Sequence, residues 1–236
     1  MQKELNPITY RLHLYSSEMI HFIHQMQYYI LFEVIECFWT NMLDKVRSAT
    51  ALDDILNAHE QFLREVKNGA FLDDNDQIFV RLSNVFDAIV KLEVWQKQFY
   101  EICFKELDAR KAIETQIKTN EAQGKYGYTA EDRLQRDEEQ IVFEQALTSM
   151  QKLLDKIGSD YEISVRHFLL LLASSTDPNL QLFGTRLDFN EYYKKRDQRL
   201  DEPLTFLNIR QSSLYNCNKS GYGASTSTRY NTSSNN

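Results

Sequence analysis

Glu18-x-x-His21 is the spacing in this 236-residue chain with the strongest metal-ligand character. In four-helix bundles a glutamate and a histidine three residues apart project from one helix face toward a di-iron centre. Such a centre takes two of these pairs and two further inward carboxylates. No second Glu-x-x-His occurs. Of the histidines His13, His21, His24, His59 and His167, only His21 and His24 are close in sequence, and no cysteine is spaced to complete a zinc site with them. Cys37, Cys103 and Cys217 form neither a zinc spacing nor a disulfide framework. GxxxxGK[ST], GxGxxG and GxSxG are all missing. The expectation is therefore a non-enzyme with no cofactor, in which Glu18 and His21 belong to a polar line on a large helix. Metal analysis of purified protein tests the remaining metalloenzyme alternative.

Charge narrows the partners. The formal net charge is −7. It divides into 20 Lys+Arg against 31 Asp+Glu over residues 1–193 and 7 against 3 over residues 194–236. An acidic body gives no electrostatic reason to expect nucleic acid. The longest unbroken apolar run in the first helical segment is Tyr28 to Phe32, far short of the roughly 18 residues of a membrane span. No cationic segment followed by an apolar one opens the chain, and with three scattered cysteines this fits a reducing, intracellular setting.

The elements that would position these side chains are helices. Prolines stand only at Pro7, Pro178 and Pro203, so the interval from Ile8 to Asp177 lacks the commonest helix breaker. A first helix is predicted from about Ile8 to Val46, with Met19, Ile23, Met26, Ile30, Val34 and Cys37 as its apolar stripe. Thr50 is the expected cap of a second helix, which ends near Asn68 with Gly69 free to take the left-handed conformation. A third follows the turn at Asp73–Asp76. Its seam is Ile78, Leu82, Val85, Ile89, Leu92, Phe99, Cys103 and Leu107, broken at Gln96. Residues 109–140 are charged and read as a solvated hairpin extension, turning at Gly124-Lys125-Tyr126-Gly127, with Thr129 as a weak cap. A fourth helix carries Ile141, Ala146, Met150, Leu154 and Ile157, with a kink allowed at Gly158, and Asp177-Pro178 starts a short last helix. The expected fold is all-α: a bundle of long antiparallel helices in a single domain, residues 1–204. A Ser/Thr/Asn-rich tail over 205–236 is expected to be disordered.

Glu18, His21, Gln25, Tyr28, Glu36 and Thr40 fall on one helical line, with Phe32 filling its gap. Aromatic, amide and ionisable groups together suit a wet, specific protein contact. They suit a plain solvated face equally well.

Three stretches weigh between these. SEMIHFIHQMQYYILFEVIECFW, AHEQFL at 58–63 and RLDFNEYY at 186–193 closely resemble the C-terminal part of the gamma-tubulin complex proteins, called spindle pole body components in fungi. The likeness covers about residues 8–195 in the same order. It implies a helical-bundle fold and gamma-tubulin as partner, with no catalysis of the chain's own. It also implies neighbour contacts with other complex components, made mostly through an N-terminal half that this chain is expected to lack. The setting implied is the cytoplasmic cytoskeleton, at centrosomes and spindle poles. On this basis the expected contacts are His21, Gln25 and Tyr28 on the first helix and Arg186, Asp188, Phe189, Asn190 and Tyr192 near the end. RLDF serves equally as a buried anchor that pins the chain to the bundle. The alternative of another class is a helical scaffold or tether subunit with no tubulin partner.

Overall fold

The structure, a computed structural model, describes residues 2–72, 77–125 and 130–200. Among them there is no strand. Helix α1 spans Gln2–Tyr28 and runs through a π-helical turn, Tyr29–Ile35, into α2, Glu36–Ser48. Helix α3 follows at Leu52–Gly69, α4 at Gln77–Ala122, α5 at Ala130–Ser174 and α6 at Pro178–Leu187, with a 3-10 turn at Gln198–Leu200. The Asp73–Asp76 turn, the Thr129 cap and the tail beyond about Leu204 lie outside the described residues. The chain divides into two compact units, one of residues 1–23 with 76–168 and one of residues 24–75 with 169 onward.

In the first unit α4 and α5 form an antiparallel pair. Trp95 of α4 reaches Met150 of α5, while Glu106 reaches Arg136, so one number rises as the other falls. The α1 segment is antiparallel to α4, since Glu4 meets Arg110 and Phe22 meets Phe86. It is parallel to α5: Arg11 pairs with Asp155, and Phe22 packs edge-on against Tyr161 and Phe168. The bundle of long helices is as expected, and its α1–α5 pair is the one that does not alternate in direction.

Two seams differ from the sequence pattern. On α4 the buried line runs Leu82, Val85, Ala88, Leu92, Trp95, Phe99, Cys103 and Glu106. Nothing breaks it at Gln96, because Trp95 fills that layer. Trp95 stacks on Phe99 at 5.0 Å, and its indole N–H donates to the Met150 carbonyl at 2.9 Å. An aromatic with a satisfied polar tip is stable in a core. On α5 the seam is Phe143, Leu147, Met150, Leu154, Ile157, Tyr161, Val165 and Phe168, whereas Ile141 is exposed. Gly158 does not end α5. It lies under the Tyr15 ring, where an added methyl would overlap the aromatic carbons.

At the base of the charged hairpin, Glu106 is 6% exposed in its side chain. It accepts from Arg110 Nε at 2.6 Å and from Arg136 Nη1 at 3.2 Å and Nη2. Burial works against its charge, but the two guanidiniums outweigh it and hold the carboxyl below the usual glutamate range. Arg110 also meets Glu4, and Arg136 meets Glu139. Beyond this cluster α4 continues to Ala122, and Gly124 turns the chain with φ +68°.

In the second unit α2 and α3 form an antiparallel hairpin, with Lys45 on Gln61 and Trp39 edge-on to Phe62. Its cap departs from expectation. Ala51 is the cap position, and Asp54 does the capping by accepting from the backbone N–H of both Thr50 and Ala51 at 3.0 Å. Gly69 is still helical. A side chain there would sit 2.8 Å from Val34, so this glycine serves close approach, not the left-handed turn. Phe71 takes the left-handed turn instead, at φ 58°. It is compensated by burial: Tyr29 stacks on Phe71 at 5.5 Å and on Phe183 of α6 at 4.4 Å. Burial, assisted by the carboxylates of Asp177 and Glu33, pushes the Tyr29 phenol well above its ordinary value. The start of α6 is as expected, with Asp177 accepting from Asn179 N–H and Pro178 in the first turn.

Candidate partner-binding surface

The π-turn decides which side chains share a face. Its backbone bonds span five residues, as from Glu36 N–H to the Leu31 carbonyl. The Cys37 thiol lies 3.5 Å from the Phe32 carbonyl and satisfies part of the widened turn. In an α-helix residues five apart point about 140° away from each other. A π-turn, with its i→i+5 bonds, rotates less per residue and brings such a pair closer around the helix. Phe32, which touches the Tyr28 ring, continues the exposed line through the turn, and Glu33 lies buried beside it. Of the polar line expected from Glu18 to Thr40, the half from Tyr28 onward stays exposed through this turn. Glu18, His21 and Gln25 are half-buried, while Phe32, Glu36 and Thr40 are exposed.

Arg186 of α6 completes the cluster. Its Nη2 lies 2.5 Å from Glu33 Oε1, and its guanidinium carbon stands 5.7 Å from the Tyr28 ring centroid. Glu33 is 6% exposed in its side chain and Arg186 36%. The Tyr28 ring is half in solvent and touches Phe32 at 5.0 Å. Leu31, Phe32, Ile35 and Trp39 extend the exposed apolar area along the same helix. A cation over a ring beside exposed apolar groups is suited to recognising a protein partner. Among the described residues no three His, Cys, Asp or Glu side chains gather as a metal site. No described helix is long and apolar enough to cross a membrane.

The turn after α6 orders the other expected contacts. Asp188 is consumed locally, its carboxylate accepting from Tyr193 N–H at 3.0 Å and Lys194 N–H at 2.8 Å. Asn190 accepts from Tyr192 N–H at 3.2 Å. These two side chains hold the turn, and Glu191 takes φ 57° within it. The turn presents Phe189, 69% exposed, and Tyr192, over which Arg196 stands at 4.1 Å. Leu187 and Tyr193 on either side are buried. RLDF is thus both anchor and surface: Leu187 is buried, Asp188 folds the turn, and Arg186 and Phe189 reach solvent.

The C-terminal model of the gamma tubulin complex components matches residues 1–193. The chain belongs to the gamma-tubulin complex component family. It is 49% identical over 92% of its length to gamma-tubulin complex component 3 of Drosophila melanogaster, covering 24% of that protein. It is 38% identical over 84% of its length to gamma-tubulin complex component 3 of Homo sapiens, covering 22%. Spindle pole body component 98 of Dictyostelium discoideum is 28% identical over 81% of the chain, with 22% of that protein covered. The chain thus spans about a quarter of the length of the curated relatives it matches.

For this gamma-tubulin complex family chain, Tyr28 and Arg186 were expected at opposite ends of the sequence and meet in space. Gln25 is half-buried in the same unit, and half-buried His21 belongs to the first unit. Glu33 was missed from sequence. Its signal was a lone carboxylate inside ILFEVI, the most apolar part of the opening helix.

Proposed function

We propose that this chain binds gamma-tubulin and has a non-enzymatic, positional role in microtubule nucleation. What supports this is the family match over residues 1–193, joined to a surface on which Arg186 lies over the exposed Tyr28 ring. The turn carrying Phe189 and Tyr192 adds aromatic area ordered by Asp188 and Asn190. Aromatic rings and arginine dominate the affinity of protein interfaces because they bury large area at modest entropic cost. The chain's part is geometric: it fixes where a gamma-tubulin subunit sits, and any GTP belongs to gamma-tubulin. The proposed setting is the cytoskeleton at microtubule-organizing centres, with other gamma-tubulin complex components as further partners.

The test is co-purification of the 236-residue chain with gamma-tubulin, followed by sizing. A one-to-one complex is expected, and Tyr28→Ala is expected to weaken it without unfolding the chain. Added in excess to intact complexes, the chain should compete for gamma-tubulin and lower the number of microtubules nucleated. A well-folded chain that does not retain gamma-tubulin would leave the helical scaffold reading in its place.

A further inference from the structure

We propose that Glu33 is a positioning residue for partner binding, and that the π-turn exists to bring it beneath Arg186 so that the guanidinium is held across Tyr28. This rests on the proposed binding of gamma-tubulin. Three observations carry it. Glu33 is almost fully buried, yet its one ion-pair partner among the described residues is Arg186, through Oε1. Its Oε2 and the Nε and Nη2 of Arg186 make no hydrogen bond among the described groups, so the two side chains meet as a charge pair. The carboxylate is therefore not tied into a wider polar network that would give it a structural task of its own. Burying a carboxylate beside a single guanidinium is an inefficient way to stabilise a fold, since an apolar residue of similar volume commonly does as well or better. What the pair supplies is position.

The π-turn gives that position its geometry. Tyr28 and Glu33 are five residues apart. A regular α-helix would direct them about 140° apart. The widened turn over Tyr29–Ile35 narrows that angle, and both side chains meet Arg186. Arg186 is brought to this place by α6, which Phe183 anchors through its stack on Tyr29, the first residue of the turn. The ring, the carboxylate and the α6 anchor thus converge on one arginine. Its rotamers are restricted before a partner arrives, so less entropy is lost on binding.

The experiment uses the full chain and gamma-tubulin in a double-mutant cycle of Glu33→Gln and Arg186→Ala, with melting curves for every variant. The Arg186 Nε–H signal in nitrogen-15 NMR spectra, assigned by its loss in Arg186→Lys, reads the positioning without any partner. A held guanidinium gives a dispersed, slowly exchanging signal in the wild type that moves to the free-arginine position in Glu33→Gln. Binding is expected to weaken roughly tenfold in Glu33→Gln, the scale of one charge-assisted contact. In the Arg186→Ala background the same change should have no effect, because Glu33 acts only through Arg186. Additive losses, or a Glu33→Gln chain that melts early and loses binding in proportion, would make Glu33 structural and overturn the inference. A held Arg186 signal with undiminished binding in Glu33→Gln would overturn it while leaving gamma-tubulin binding intact. A wild-type chain with a held Arg186 that binds no gamma-tubulin would remove the functional proposal itself, and the inference with it.

Discussion

Replacing Glu106 by glutamine should cost the first unit about 2–3 kcal/mol at pH 7. The carboxylate makes two contacts with Arg136 and one with Arg110, and its side chain is 6% exposed. Removing one member of a fully buried ion pair typically costs about 3–5 kcal/mol, because the remaining charge is left unpaired in a poor solvent. Here the remaining charges are partly relieved. Arg110 is 32% exposed and keeps Glu4, and Arg136 keeps Glu139, so the lower part of the range applies. The sign of the pH dependence follows from the depressed folded pKa of Glu106. A group held more acidic in the folded state contributes stability that is fully present above its unfolded pKa. That contribution is lost as pH falls through the lower folded value. The gap between wild type and Glu106→Gln should be widest at neutral pH and close progressively below about pH 4.5, the ordinary glutamate value. Urea denaturation of both chains, followed by circular dichroism at pH 7 and pH 3.5, measures this, with equal m-values as the check on comparability. A gap below about 0.5 kcal/mol at pH 7, or one of the same size at both pH values, would refute the clamp.

Gly158→Ala should destabilise the chain by about 1–3 kcal/mol, although alanine is the better helix former, because its methyl overlaps the Tyr15 ring. Tyr15→Ala in the same chain should recover much of the loss in thermal melts, and an unchanged loss would show that crowding is not the cause. Phe183→Ala removes a side chain that is 0% exposed and stacked on Tyr29, and should cost about 3–5 kcal/mol by urea denaturation. Tyr28→Ala should cost under about 1 kcal/mol, since half of that ring already faces water, while weakening gamma-tubulin binding. Equal stability losses at Phe183 and Tyr28 would place Tyr28 in the core and end its assignment to the partner surface.

How far the pattern of residues could be trusted depended on how local the deciding physics was. Pro178 after Asp177 announced the start of α6, and that short-range capping chemistry appears as expected. The apolar repeat announced long helices, and Gly124 announced the hairpin turn. Long idiosyncratic stretches such as RLDFNEYY pointed to the gamma-tubulin complex family, which the match over residues 1–193 bears out. The seam at Trp95 was misread, since a large aromatic was passed over in favour of a strict repeat through Gln96. Gly69 was assigned a turn when its neighbours, Val34 and Phe38, required the absence of a side chain. Tyr28 was named from the polar line and Arg186 from the family resemblance, 158 positions apart, and the structure brings the two into contact.

By itself, then, the sequence determined the helical class, the start of α6, the turn at Gly124, the acidic character and the family. Tertiary structure decided what depends on distant partners. The parallel course of α1 and α5 follows from contacts such as Arg11–Asp155 and Phe22–Phe168, between residues that no periodicity connects. The left-handed Phe71 is tolerated because it stacks on Tyr29, whose other face is covered by Phe183 of α6. The π-turn is the sharpest case. Local propensity favours an unbroken α-helix through YYILFEVI, and single residues carry no signal for a five-residue hydrogen bond. Only when Arg186 is in place does the wider turn gain a carboxylate beneath a guanidinium and a ring alongside it. The face that this helix presents there is shared with a residue more than 150 positions further along the chain.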